Sequence, residues 1–148
     1  MADTLNVAIR QMRPEDAAAV AALTTQLGYP STEDAIRRRY DLIKERWDAR
    51  LFVAHAGTLI VGWIHVQATY LMECDARAEI WGLVVSEKAR GSGVGRRLVE
   101  AAEEWALMRG LTVMALRSNE LRTEAQGFYE HLGYKVIKTQ SAFRKNLA

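Results

Sequence analysis

The sequence predicts a mixed α/β domain in which helices flank a largely antiparallel sheet, and three observations carry this prediction. The chain has 148 residues, of which 49% are hydrophobic and 26% charged, as is typical of one globular domain with its own core. Segments with alternating apolar residues, which indicate strands, fill the middle of the chain. Segments with helical spacing lie on both sides of them. We therefore expect a single domain over residues 1–148 with the element order β-α-α-β-β-β-α-β-α-β-β.

The first third of the chain is predicted to hold one strand and two helices. Apolar alternation predicts the strand at residues 5–9. The segment 13–16, Arg-Pro-Glu-Asp, is expected to begin a helix that runs to Leu27, because proline and acidic side chains both suit a first turn. A second helix is predicted from Ser31 or Thr32 through residues 33–47. Its apolar stripe toward the core would consist of Ile36, Tyr40, Ile43 and Trp47.

Strands dominate the remainder of the prediction. A hairpin with its turn at residues 55–57 joins strands at 51–54 and 58–69, and a third strand covers 76–85. Helices are expected at 94–109 and 123–132, each ended by a glycine, Gly110 or Gly133. Further strands are predicted at 111–116, 134–138 and 141–145.

The composition excludes several classes of protein. The net charge of +2 is too small to indicate binding to nucleic acid or to a membrane surface. The single cysteine, Cys74, excludes a disulfide framework and a cysteine-rich zinc site, and the histidines lack the spacing of metal ligands. We expect no metal, no targeting segment and no membrane span, and hence a cytoplasmic protein.

The clearest motif is a glycine-rich loop between a predicted strand and a predicted helix. Residues 86–97 read Ser-Glu-Lys-Ala-Arg-Gly-Ser-Gly-Val-Gly-Arg-Arg. Backbone N–H groups in such a loop, together with the N-terminus of the helix, favour an anion, and glycine lets a phosphate approach closely. Arg90, Arg96 and Arg97 would add positive charge. The loop predicts a pyrophosphate site, with a purely structural helix entry as the alternative.

Two common nucleotide motifs do not fit this loop. The P-loop requires Gly-Lys followed by Ser or Thr, which is absent. The dinucleotide fingerprint Gly-x-Gly-x-x-Gly fails from Gly91, because Arg96 occupies the final glycine position.

The residues around the loop resemble the GNAT superfamily of acyl-CoA-dependent N-acetyltransferases. Arg90, Gly93 and Gly95 match the phosphate loop of that family, Arg/Gln-x-x-Gly-x-Gly/Ala. Residues 78–85 resemble its fourth strand, and residues 125–134 resemble its Ala-x-x-Phe-Tyr-x-x-x-Gly-Phe/Tyr segment. The resemblance implies a GNAT-like fold with a central mixed, mostly antiparallel, twisted sheet flanked by helices. It also implies an acetyltransferase that uses acetyl-CoA as co-substrate.

The resemblance further implies where acetyl-CoA binds. In the family it lies in a V-shaped opening between the fourth and fifth strands, with the pantetheine arm on the fourth strand and the pyrophosphate on the loop. The implied residues are Leu83, Val84, Val85, Arg90, Gly91, Ser92, Gly93, Val94, Gly95, Arg96 and Arg122. Two of these side chains have alternatives. Arg122 stands where many members have Asn and could simply start a helix, and Arg90 could be a solvated loop charge.

Two residues are candidates for proton transfer. A tyrosine, with an ordinary pKa of about 10, stays protonated at neutral pH and can donate to a leaving thiolate. The resemblance assigns this role to Tyr129, with a core aromatic as the alternative. A primary amine is mostly ammonium at neutral pH and must lose a proton before it attacks a thioester. Glu79 is the candidate base, and a solvated strand carboxylate is the alternative.

Other side chains could extend the site. His65 is a second candidate base, with a hydrogen-bonded core histidine as the alternative, and Cys74 would permit an acyl-cysteine route that the family does not typically use. The family places the acceptor near residues 26–40 and 69–75. There Tyr29, Glu33, Tyr70 and Glu73 would form an acidic and aromatic pocket for a cationic amine.

We therefore expect an enzyme that transfers acetyl from acetyl-CoA to a primary amine by direct attack in a ternary complex. The acceptor would be a small-molecule amine, an aminoglycoside-like amine or a peptide amine. A non-catalytic acyl-CoA-binding regulatory module and a nucleotide-binding domain unrelated to CoA are the alternatives. Family habit also implies a homodimer through the C-terminal strands, with Phe143 at the contact.

Overall fold

The chain forms two units, Met1–Leu116 and Arg117–Ala148, and the computed structural model describes residues 6–118 and 123–148. The strands, all in the first unit, are β1 (Ala8–Gln11), β2 (Ala49–Ala56), β3 (Leu59–Thr69), β4 (Arg77–Val85) and β5 (Met114–Leu116). The helices of this unit are α1 (Ala17–Gln26), α2 (Glu33–Ile43) and α3 (Val94–Met108), with short 3-10 turns at Pro14–Asp16 and Glu87–Ala89. The second unit contains α4 (Thr123–His131).

The first unit is built on a five-stranded sheet with the strand order β1-β2-β3-β4-β5. The pairs from β1 to β4 are antiparallel, and β4 and β5 are parallel. Parallel neighbours need a long crossover connection, and α3 supplies it. The mixed, mostly antiparallel sheet confirms the predicted fold class.

Helices cover both faces of this sheet, and β3 shows which face is which. Trp63 donates a hydrogen bond from its indole nitrogen to Thr24 of α1 at 3.2 Å, which places Trp63 on the α1 face. A Cβ built on Gly62, the residue before Trp63, would lie 3.0 Å from Cδ1 of Leu98 on α3. Gly62 therefore faces α3. Because strand residues alternate between faces, His65, Gln67 and Thr69 also point to the α1 face.

The predicted start of α2 is confirmed, but its predicted apolar stripe is wrong at one position. The Thr32 hydroxyl accepts a hydrogen bond from the Ala35 N–H at 3.1 Å and caps the helix. α2 then ends at Ile43, and the Arg46 N–H closes a turn onto the Ile43 carbonyl at 3.0 Å. This turn takes the chain out of the helical repeat, so Trp47 does not face the core and is 71% exposed.

Pairing in the sheet shifts several predicted strand bounds. β1 begins at Ala8 because residues 8–11 pair with 52–55 of β2, whereas alternation alone placed the strand at 5–9, whose first residue lies outside the described ones. His55 belongs to β2 and not to the turn. β5 has only three residues, fewer than predicted, because only these pair with β4.

The two predicted C-terminal strands are wrong. Residues 134–138 and 141–145 contain no strand, and every residue from 135 to 148 is exposed. A strand forms when a neighbour completes its hydrogen bonds, and the second unit contains no strand among its described residues to do so.

None of the helices in residues 6–118 and 123–148 is long and apolar enough to cross a membrane.

Candidate active site

β4 carries the candidate site because only its first half pairs with β5. Ala78, Glu79 and Ile80 lie opposite Met114, Ala115 and Leu116. Beyond Ile80, the described part of β5 places no residue opposite Leu83–Val85. A strand edge without a neighbour presents N–H and C=O groups that an extended ligand can bind.

A β-bulge lies where the two strands part. On β3, Val66 faces Ile80 but His65 faces Gly82, so Trp81 is an extra residue of β4. A bulge bends its strand and increases the local twist, which accounts for the divergence of β4 from β5. It also changes the alternation, so that Glu79 and Gly82, three residues apart, both belong to the α1 face.

Glu79 is buried within the sheet, with only 2% of its surface exposed. Gln67 lies directly opposite it on β3, on the α1 face. Nε of Arg77 donates a hydrogen bond to Glu79 Oε1 at 3.2 Å, in an ion pair along the same strand. Glu79 is therefore a buried, paired carboxylate beside the open edge of β4. The alternative interpretation, a solvated strand carboxylate, is wrong.

Polar side chains continue from Glu79 across the α1 face. We call this set the polar face; it consists of His65, Gln67, Thr69, Arg77 and Glu79. Burial lowers the pKa of His65 and the charge of Arg46 lowers it too, while a hydrogen bond with Gln67 raises it. The net shift is downward, so the imidazole is neutral at pH 7.

Trp63 and Gly82 bound this set at the bulge. A Cβ on Gly82 would lie 2.7 Å from Cη2 of Trp63, so the indole can lie over β4 only because residue 82 is glycine. No sequence motif marks this contact, because it depends on the register of β3 against β4. Neither residue was therefore predicted from the sequence.

The glycine-rich loop has the geometry of an anion site. Gly91 and Gly93 have φ of 79° and 85°, the left-handed region that favours glycine. α3 begins at Val94, and its first capping bond runs from the Arg97 N–H to the Gly93 carbonyl at 3.1 Å. The N–H groups of the first helical turn have no acceptor within the helix, so those of Val94, Gly95 and Arg96 are available to a ligand.

The arginine side chains differ from the predicted cluster. Arg96 pairs with Glu100 at 2.9 Å along α3, and Arg97 donates a hydrogen bond to the Val7 carbonyl. Arg90 is exposed beside the loop. Arg97 therefore holds the segment that leads into β1, and Arg90 is the exposed arginine of the loop.

The remaining cofactor-binding candidates are main-chain positions and one undescribed residue. The side chain of Val84 is buried in the core on the α1 face, while Leu83 and Val85 are half-buried. Ser92 donates its hydroxyl hydrogen bond to the Ala89 carbonyl, so that hydroxyl closes the loop. Arg122 lies outside the described residues.

Tyr129 lies on α4 of the second unit. Its ring contacts Phe128 and Tyr134 edge-on, with centroid distances of 5.1 and 5.8 Å. Burial raises its pKa to about 12. The phenol is therefore protonated throughout the physiological range and is a hydrogen-bond donor.

Two of the side chains predicted to line an acceptor pocket have partners outside it. Glu33 pairs with Arg37 at 3.0 Å, and the ring of Tyr70 lies 6.1 Å from that of Trp47. Cys74, the candidate for an acyl-cysteine route, is exposed. The acceptor pocket itself stays a prediction.

Comparisons with known proteins fit this arrangement. The chain matches the acetyltransferase (GNAT) family over residues 16–134. It is 32% identical to an N-acetyltransferase of Chlorobaculum tepidum over 133 residues, which are 89% of this chain and 77% of that one. It is 32% identical over 85 residues, 51% of this chain and 59% of the other, to the 5-NmdU N-acetyltransferase of Pseudomonas phage PaMx11.

A solved structure shows the same fold. Aminoglycoside N-acetyltransferase AAC(6')-Iy in complex with CoA superposes with a TM-score of 0.84 at 24% identity, over 95% of each chain. The family match covers both the open edge of β4 and the loop before α3. The chain therefore belongs to the acetyltransferase (GNAT) family, and it is an acyltransferase.

Proposed function

We propose that this protein transfers acetyl from acetyl-CoA to the primary amine of a small molecule, with Glu79 as the general base. One observation carries the proposal: a buried carboxylate stands on β4 next to the edge that β5 leaves open. A carboxylate kept out of water can take a proton from an amine that the same site excludes from solvent. No other carboxylate of β4 exists to take this role.

We assign acetyl-CoA, the acetyl donor, to the main chain of β4 and to the glycine-rich loop. The pantetheine arm pairs with Leu83–Val85, and the pyrophosphate accepts hydrogen bonds from Gly91 to Arg96, with Arg90 beside it. The left-handed glycines and the open N–H groups of α3 support this placement. Arg122 completes the proposed set of donor contacts.

Glu79 first takes a proton from the bound ammonium. The neutral amine nitrogen then attacks the thioester carbonyl, the C–S bond breaks, and the CoA sulfur leaves as a thiolate. The second proton, which the nitrogen loses as the amide forms, reaches the thiolate through solvent and gives the CoA thiol. Tyr129 is the proposed donor to the thiolate sulfur. With a pKa of about 12, it stabilises the thiolate by donating a hydrogen bond.

The names of two similar proteins support an amine acceptor, and that of the first supports a small molecule. AAC(6')-Iy is an aminoglycoside N-acetyltransferase, and the phage relative is a 5-NmdU N-acetyltransferase. The family match across both units supports a single domain over residues 1–148. We also propose a cytoplasmic location and a homodimer in which the exposed C-terminal residues, including Phe143, meet a second copy.

A steady-state assay with the substitution Glu79→Gln tests the proposal. The panel of acceptors contains an aminoglycoside, a polyamine, 5-NmdU and a lysine peptide. We expect kcat to fall about 100-fold or more, the range of general acid–base catalysis, with little change in the affinity for acetyl-CoA. Glu104→Gln, an exposed α3 carboxylate, is the matched control and retains wild-type kcat.

Three results would argue against the proposal. Wild-type kcat in Glu79→Gln would remove Glu79 from the role of base. Acetylation of the peptide alone would replace the small-molecule acceptor with a peptide. Binding of acetyl-CoA without turnover of any amine would favour the non-catalytic acyl-CoA-binding module.

A further inference from the structure

Two buried polar atoms on the polar face have no hydrogen-bond partner. They are Nε2 of His65 and Oγ1 of Thr69, and the only other such side-chain atom in the described residues is the indole nitrogen of Trp105 on α3. Buried polar atoms in proteins are nearly always bonded to protein or to ordered water. Their occurrence on the same face of β3, on either side of Gln67, therefore indicates a place where water or a ligand completes the bonding.

The register of the sheet puts both atoms beside Glu79. Gln67 lies directly opposite Glu79, and His65 and Thr69 precede and follow Gln67 by two residues on the same face. They are therefore the two diagonal neighbours of Glu79. Diagonal neighbours in an antiparallel pair lie about 7–8 Å apart, a gap that two side chains and one bridging water can close.

Nε2 is the atom of the His65 ring that is buried without a hydrogen-bond partner. Gln67, two residues along β3, is the hydrogen-bonding neighbour that raises the pKa of His65 against the effect of burial. Opposite the ring, residue 82 is glycine, and the indole of Trp63 lies over it. An isolated core histidine would not need a buried ring nitrogen without a partner.

We propose that His65 binds, through Nε2, a water molecule shared with Glu79, and that the proton taken from the amine passes along this water to His65. This inference rests on the proposed function. One proton moves from the amine nitrogen to the Glu79 carboxylate and then, through the water, to the neutral imidazole, which becomes imidazolium. The imidazolium returns the proton to solvent before the next turnover. His65 is thus a positioning residue that acts through Glu79.

The charges around the ring are consistent with a neutral resting imidazole. Arg46, from the segment that leads into β2, disfavours the imidazolium, as does burial. The Arg46 guanidinium in turn donates two hydrogen bonds to the carboxylate of Asp48, at 3.0 and 2.9 Å. On β4 the charged groups of this face are Arg77 and Glu79, while β2 places the apolar Leu51 opposite the ring.

Two substitutions separate the proton acceptor from the water-binding group. His65→Asn keeps a polar group toward Gln67 and removes Nε2, and His65→Gln places an amide oxygen where Nε2 can hold the water. We expect His65→Asn to lower kcat about 100-fold at pH 7, the lower end of proton-transfer effects. His65→Gln should recover part of this loss. The KM for acetyl-CoA should not change in either.

The pH dependence of kcat supplies the second readout. The wild type needs neutral His65, so kcat falls as the pH drops below the lowered pKa of that residue, and both variants lose this acidic limb. His55→Asn is the matched control, because His55 contacts the turn at Gly57. This variant should keep the acidic limb of the pH profile. If both variants fail to fold, NMR titration of the wild type and of Glu79→Gln decides instead. Loss of the nearby carboxylate should lower the pKa of His65.

The outcomes are distinct. Wild-type kcat and an intact acidic limb in His65→Asn, with Glu79→Gln inactive, would overturn the inference and leave the proposed function standing. An unchanged His65 titration in Glu79→Gln would also overturn it. A wild type that acetylates no amine would overturn the proposed function, and the inference with it.

Discussion

Tyr129 illustrates how burial determines what a side chain can do in the proposed reaction. A pKa of about 12 lies well above that of a thiol, about 8.5, so full proton transfer to the sulfur is uphill. A hydrogen bond from a strongly held phenolic proton still stabilises a developing thiolate. The sequence identified the residue through its motif, but the raised pKa follows from packing that the motif does not encode.

The substitution Tyr129→Phe tests this role. The phenyl ring keeps the contacts to Phe128 and Tyr134, so we expect an unchanged Kd for acetyl-CoA and a kcat about 100-fold lower. In the wild type, no alkaline decline in kcat below pH 10 should come from this residue. Tyr40→Phe, which removes a 3.4 Å hydrogen bond to the Met12 carbonyl, serves as control. Equal rates in the wild type and Tyr129→Phe would assign the ring to packing alone.

The roles of single residues stay predictions, and the surroundings of these residues were not predicted. The family resemblance made Glu79 a candidate base, but its burial depends on the packing of the sheet, and its ion pair with Arg77 on the same strand was not predicted. Arg97 was expected to face the anion, and instead it binds the carbonyl of Val7. The partner of Arg97 lies 90 positions away in the sequence, so no local sequence pattern predicts this contact.

Among the elements, those with local signals were predicted and those that need a partner were not. Thr32 caps α2 by its own side chain, and Gly93 precedes α3 through its own φ angle, so both helix starts follow from local sequence. The β4 bulge and the short β5 depend on pairing between distant segments. The residues expected to form two last strands have strand-like sequences, but strand formation requires a neighbour.

A pair of glycine substitutions tests the loop before α3. Gly93 and Gly110 both have left-handed φ angles, 85° and 76°, and an added Cβ would meet nothing within 4 Å at either. Alanine should therefore cost each a similar amount of stability, about 1–2 kcal/mol. Only Gly93→Ala should weaken acetyl-CoA binding, by about 10-fold or 1.4 kcal/mol, because its strain moves the N–H groups of the anion site. If calorimetry gave equal Kd values for acetyl-CoA in the two variants, the loop would have a structural role only.

For the whole molecule, thermal unfolding reports whether the donor binds the folded chain. Acetyl-CoA at 100-fold excess over Kd should add about 2.7 kcal/mol to the free energy of unfolding. For a chain of this size the midpoint should rise by about 5–10 °C. ADP and NAD are the controls and should give smaller shifts. No shift at millimolar acetyl-CoA would contradict the donor site on β4.

Family and architecture were thus predictable from the whole chain, because two motifs in the right order constrain it more than any single element does. The acceptor was not, because the side chains proposed for it lie on loops whose contacts are set by tertiary structure.

The open edge of β4 has a consequence for how this enzyme can evolve. A donor held by backbone N–H and C=O groups places few demands on side chains, so the half-buried Leu83 and Val85 can vary, while Val84 is kept by the core. The amine, in the proposed function, meets side chains of the polar face and the loops around it. Selection can therefore exchange one acceptor for another without rebuilding the donor site. Laboratory evolution toward a new amine should accordingly collect its changes on the α1 side of the sheet.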